Sequence, residues 1–155
     1  MKKILLLAVT ATSLLGSCKK DDKKDSSTGT EAKIADKKWK LTAHSYVFNG
    51  QTNDGYAQLK DCQKDNFAIY SSDKSIIIDE GATKCMSSTP QMQTVGTWEL
   101  RSGGKELFLS GAEAVYGIKE LTLNIIESSS STLKVKYTTT VNGPVIENTA
   151  TYTAL

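Results

Sequence analysis

The chain has 155 residues, a formal net charge of +2, one histidine and three cysteines. Beyond residue 35 there are 12 basic and 13 acidic side chains, in a length that suits one domain. The lack of a basic stripe argues against nucleic acid as a partner, and a single histidine leaves little from which to build a zinc site or a catalytic triad.

Lys2 and Lys3 precede Ile4 to Gly16, an uncharged run of 13 residues. That is shorter than the roughly 18 to 20 residues a spanning helix needs. A basic start, a short apolar core and small residues at its end read as a signal peptide over residues 1–17. Its end, Leu15-Gly16-Ser17-Cys18, resembles a bacterial lipobox. The resemblance implies that Cys18 becomes the first mature residue and carries acyl chains of the palmitate type on its sulfur and its amine. One chain anchors weakly, at about 0.8 kcal/mol per buried methylene, so several are needed for a permanent tether.

The next stretch, "KKDDKKD" from Lys19 to Asp25, has no apolar side chain. Residues 18–35 therefore read as a lipidated, disordered, charged linker. The stretch also resembles the Lys/Asp-rich segments that follow the cysteine in surface-exposed lipoproteins of Bacteroidota. This implies attachment to the bacterial outer membrane with outward display; the periplasmic face is the alternative. If Cys18 is acylated, Cys62 and Cys85 remain as an even pair in an oxidising compartment. A disulfide between them is expected, although their separation says nothing about geometry.

From Asp36 to Leu155 the pattern is that of strands, with sparse proline and much threonine. Period-two or wholly apolar segments are read at 38–48, 66–71, 75–79, 94–101, 105–110, 116–127, 132–141 and 144–153. Ser71 to Lys74, Ser102-Gly103-Gly104, Ser128 to Ser131 and Asn142-Gly143 are the turn signals, and Asn-Gly is the strongest of them. Two longer connections, Asn49 to Asp65 and Glu80 to Gln93, each hold one of the two cysteines.

Alternation places Trp39, Leu41, Ala43 and Val47 on one face of the first strand, with Lys38, Lys40, Thr42 and His44 on the other. Trp98 and Leu100, then Leu121, Leu123 and Ile125, then Leu133, Val135 and Tyr137 form matching apolar faces. Eight antiparallel strands with one apolar face can bury it by closing into an up-and-down barrel. A two-sheet β-sandwich is the alternative. Residues 36–155 are expected to form that single all-β domain.

The ordered set "KKWKLTA", "DCQKDN", "TKCMSST" and "VGTWEL" resembles the lipocalin-like lipoproteins of Bacteroidota. The resemblance covers the stretch from Asp36 to Leu155. It implies a small calycin-type barrel, a Cys62–Cys85 bridge, and closure of the base by the strand of Trp39. Where lipocalins carry the glycine of a Gly-x-Trp signature, this chain has Lys37.

Catalytic and metal chemistry is not evident. His44 has no Gly-x-Ser-x-Gly partner, and Asp61, Asp65 and Asn66 lack the glycine and alternating ligands of a calcium loop. No enzyme, metal or cofactor is expected. Six tyrosines in a small barrel could instead line a cavity for an apolar or amphipathic ligand. Trp98, Tyr137 and Tyr152 are the candidate lining residues, in a monomer tethered to the membrane by its lipid. The alternative is a filled barrel that docks a protein or glycan, with Tyr56 as the exposed aromatic.

Overall fold

The computed structural model describes residues 26–140 and 143–155. The expected signal peptide and lipidation site Cys18, the run to Asp25, and Asn142 of the Asn142-Gly143 turn lie outside the described residues. In chain order the elements are α1 (Ser26–Ile34), β1 (Lys38–Phe48), β2 (Gln51–Asp54), α2 (Asp61–Lys64), β3 (Phe67–Tyr70) and β4 (Ser75–Asp79). They continue as β5 (Met92–Arg101), β6 (Glu106–Ser110), α3 (Glu113–Tyr116), β7 (Glu120–Ser128), β8 (Thr132–Thr140) and β9 (Val145–Ala154).

Strands β1 and β3 to β9 form a closed, antiparallel, eight-stranded barrel of lipocalin-like type, with β2 as an extra strand. Closure is made by β1 against β9, from Trp39 opposite Ala154 to Val47 opposite Glu147. That pairing excludes the sandwich, which would leave both strands as edges. β1 is long enough to share its other edge. Lys38 to Lys40 pair with β3, and Ser45 to Phe48 pair with β2.

β2 lies inside the connection that sequence reading left unstructured. Asn49 and Gly50 both have positive φ (49° and 76°), as a two-residue hairpin turn requires, so this Asn-Gly pair was a legible signal. Tyr116, expected to begin a strand, instead closes the one-turn helix α3.

A second correction concerns facing. The β1–β9 register shifts between Leu41 and Ala43. A bulge of this kind reverses the alternation beyond it. Trp39 and Leu41 point inward as expected, but above the bulge the inward residues are His44 and Tyr46, opposite Ala150 and Asn148. Ala43 and Val47 move to the outer face.

The third correction is at the N-terminus. Residues 26–34, read as part of the disordered linker, form α1, whose last residue, Ile34, is fully buried. Composition masked this because one isoleucine in a Ser/Thr-rich stretch carries no periodicity. The Trp39 indole donates to the Ile34 carbonyl at 2.8 Å. Asp36 then turns the chain in a left-handed conformation, donates from its backbone to Tyr70 O at 2.9 Å, and accepts from Ser72 N at 2.8 Å. Glu31 pairs with Lys74, whose ammonium lies 4.4 Å from the Trp98 ring centroid. Helix α1 thus plugs the end of the barrel that carries the 71–74, 102–105 and 128–131 turns.

The core fills this closed end. Trp39, Trp98, Tyr70, Ile76, Leu107, Leu109, Leu123, Leu133 and Val135 are all at most 2% exposed. β5 and β6 come close enough that a Cβ on Gly96 would lie 2.3 Å from Ser110 O, so only glycine fits there. At the other end, the Cys62–Cys85 disulfide joins α2 to the β4–β5 loop, with a Cα–Cα distance of 5.2 Å.

Candidate functional site

On β1 and β8, burial on the inner face loosens toward the end opposite α1, whereas Leu109 of β6 and Leu121 of β7 stay buried there. Along β8, Leu133 and Val135 are fully buried, whereas Tyr137 and Thr139 are half-buried. Along β1 the sequence runs from buried Trp39 through half-buried His44 and Tyr46 to Phe48, 37% exposed. The rim adds Val145 at the start of β9, Met92 at the start of β5 and Met86 in the disulfide loop, which are 62%, 50% and 66% exposed. Apolar side chains left in water at a barrel end suit a place of entry or contact, although the plugged end also exposes Ile126 and Leu155. We call the end opposite α1 the mouth.

A polar chain crosses the inner wall of the mouth. Asn148, a buried amide, donates to Thr139 Oγ1 and to Ile146 O, each at 3.2 Å. Its carbonyl oxygen therefore faces His44 Nε2, at 3.1 Å, which makes Nε2 the protonated nitrogen of that ring. Gly55 holds the imidazole in place, since a Cβ there would lie 2.3 Å from His44 Nδ1. Tyr46 is fixed in turn by Gln58, which donates to its hydroxyl at 3.2 Å.

Deeper in the barrel, four phenols gather from β3, α3, β8 and β9. The hydroxyls of Tyr116 and Tyr152 are 3.4 Å apart. Tyr70, 1% exposed, has a buried hydroxyl without a hydrogen-bond partner. Tyr116 is near enough to bear on its ionisation without meeting hydrogen-bond geometry. Burial, then the neighbouring Tyr116, pushes Tyr137 up to about 12, and the same causes push Tyr70 and Tyr152 well above the ordinary phenol range. All three stay protonated, and able to donate, at any physiological pH.

Of the three lining residues named from sequence, Tyr137 and Tyr152 meet at this cluster through Tyr116. Trp98 does not join them. It lies on the floor, donates from Nε1 to Ser71 O at 2.9 Å, and packs edge-on against Tyr70 at 5.8 Å. Tyr70, Tyr116, His44 and Asn148 were not anticipated. The place of His44 depends on the β1 bulge and that of Tyr116 on α3, neither of which has a sequence signature here.

The anchoring of the mouth is electrostatic as well as covalent. Asp65 accepts from Thr83 Oγ1 at 2.8 Å, and from the backbone of Thr83 and Ala82, which lowers its pKa. Asp79 is lowered chiefly by Lys38 at 2.8 Å, and then by Gln91. Outside the barrel, an open groove of about 560 Å³ runs across β1 between β2 and β9, with Thr42, Asp54, Tyr56, Lys134 and Thr151 on its walls. Lys64 stands 5.7 Å from the Tyr56 ring.

Among the described residues, no group of three or more His, Cys, Asp or Glu side chains is placed to hold a metal. In comparisons with known proteins, no family model matches the chain and no curated protein aligns with it significantly.

Proposed function

We propose that this chain is a lipid-anchored, lipocalin-like lipoprotein of the bacterial outer membrane that binds a small apolar or amphipathic ligand at the mouth of its barrel, without catalysis. The observation that carries this reading is the difference between the two ends. One is plugged by α1 and packed with buried tryptophan and leucine, while the other keeps the half-buried aromatic side chains of His44, Tyr46 and Tyr137 and the buried amide of Asn148 inside an exposed apolar rim. Burial of a ligand's apolar surface there would contribute about 25 cal/mol per Å².

The anchor fits this polarity. The lipobox-like Leu15 to Cys18 sets the tether eight residues before Ser26, and α1 starts at the plugged end. At about 3.3 to 3.6 Å per residue, that tether reaches less than about 30 Å. The plugged end then sits near the lipid surface and the mouth turns away from it.

The test is titration of the purified, detergent-exchanged lipoprotein with N-phenyl-1-naphthylamine, a neutral apolar fluorophore. Saturable uptake at one site, weakened severalfold by Tyr137→Asp but not by Lys134→Glu on the outer wall, is the expected result. Absence of saturable uptake by the parent protein defeats the proposal. The outer groove favours a second reading, in which a glycan stacks on Tyr56. It predicts that Tyr56→Ala abolishes retention on an oligosaccharide column and leaves fluorophore uptake intact.

A further inference from the structure

Four tyrosines gather where four phenylalanines would fill nearly the same volume and leave no polar atom to satisfy. Their hydroxyls are poorly matched to one another. The Tyr116–Tyr152 contact is long at 3.4 Å, and the Tyr70 hydroxyl, although close to Tyr116, makes no hydrogen bond of normal geometry. A buried hydroxyl without a partner is destabilising, and native structures seldom leave one without a water, an ion or a ligand to complete it.

The charge of the missing partner follows from the strands. All five lysines and arginines that lie in strands alternate with inward residues: Lys38 and Lys40 flank Trp39, Arg101 follows Leu100, and Lys134 and Lys136 flank Val135. They therefore point outward. Arg101 does so visibly, with its guanidinium over the outer face of Phe108. A carboxylate brought to the phenols would meet none of these cations and would be a buried charge without a counter-ion.

We infer that Tyr70, Tyr116, Tyr137 and Tyr152 form a seat for one neutral oxygen, a carbonyl or hydroxyl, at the head of an otherwise apolar ligand. This rests on the reading of the mouth as a ligand site and narrows it to long-chain alcohols, ketones and related neutral lipids. The head group descends past Tyr137 to the hydroxyls, and the chain lies against Tyr46 and the apolar rim. Fatty acids are selected against because no cation waits for them.

The experiment uses the full lipidated protein and displacement of N-phenyl-1-naphthylamine by dodecan-1-ol, dodecanoate and dodecane. Dodecan-1-ol should bind about tenfold more tightly than either of the others, the worth of one to two well-made hydrogen bonds. Tyr70→Phe and Tyr116→Phe should each remove most of that advantage while leaving dodecane affinity unchanged. Thermal unfolding of Tyr70→Phe should occur at or above the parental temperature, because the substitution deletes an unsatisfied hydroxyl and keeps the ring. A second readout is independent of affinity. The carbonyl stretch of bound 2-dodecanone should lie at lower wavenumber than in hexane, and should move back in Tyr116→Phe.

Equal affinity for the three probes, or preference for dodecanoate, overturns the seat, as does an alcohol preference that survives both substitutions. In each case the mouth still binds apolar molecules, and the phenols hold water alone. Failure of the fluorophore to bind the parent protein overturns the mouth reading and the seat together.

Discussion

The Trp39 indole and the Ile34 carbonyl meet at 2.8 Å, and both side chains are buried, although they are five positions apart with a left-handed turn at Asp36 between them. This contact makes α1 part of the barrel. Ile34→Ala should cost about 2 to 5 kcal/mol, as other large-to-small core changes do. Urea unfolding of the mature protein measures it. A loss below about 0.5 kcal/mol would mean that the helix rides on the surface.

The Cys62–Cys85 bridge spans 23 positions and ties α2 to the β4–β5 loop. Its reduction should destabilise the fold by about 3 kcal/mol through freed loop entropy. β3 and β4 lie within that loop but are held by their ladders to β1 and β5, so far-ultraviolet circular dichroism should hold while the urea midpoint falls. Two alkylatable thiols in the unreduced native protein would contradict the bridge.

Acid should weaken the same region. Asp65 and Asp79 both have folded pKa values below the ordinary aspartate value of 3.8, so the unfolded chain binds more protons as pH drops. Their contribution is complete above that value and disappears as pH falls through the lower, folded pKa values. Asp79→Asn should flatten the acid limb of the stability curve between about pH 5 and pH 2. An unchanged limb would show that Lys38 gives Asp79 no net stabilisation.

Gly55 and His44 make a mechanical prediction. A methyl group on Gly55 would lie 2.3 Å from Nδ1, so Gly55→Ala must push the imidazole from its place beside Asn148. The imidazole ¹⁵N shifts should lose the Nε2–H pattern, while closed-end amides such as Leu107 and Val135 keep their protection from hydrogen exchange. Unaltered imidazole shifts would mean that the turn yields instead.

Lipid attachment is tested in cells. Labelling with an alkynyl palmitate analogue should mark the protein, Cys18→Ser should abolish the mark, and the variant should leave the membrane fraction. A membrane-bound, unlabelled parent would refute the anchor.

The barrel was legible because its signals are local. Inward leucines alternate along β7 and β8, Gly103 and Gly104 mark a turn by their left-handed φ, and each strand carries its own period. The site was less legible for the same reason. One bulge after Leu41 sends His44 inward and Ala43 outward, and no residue type in Leu41-Thr42-Ala43 announces it. Tyr116 reaches Tyr152 as the last residue of α3, where the sequence reads as the start of a strand. Ile34 was overlooked because its partner, the Trp39 indole, is visible only once the barrel has an end to plug.

The seam between β1 and β9 carries a kinetic consequence. A polypeptide made from its N-terminus delivers Trp39 early, yet the ladder that shields this strand arrives only with Thr149 to Ala154, which also zip onto β8. Until then two hydrophobic edges wait exposed, and entropy opposes so distant a ring closure. Trimming those few final rungs would open two zippers at once, so proteolysis at this spot should behave as an all-or-nothing latch.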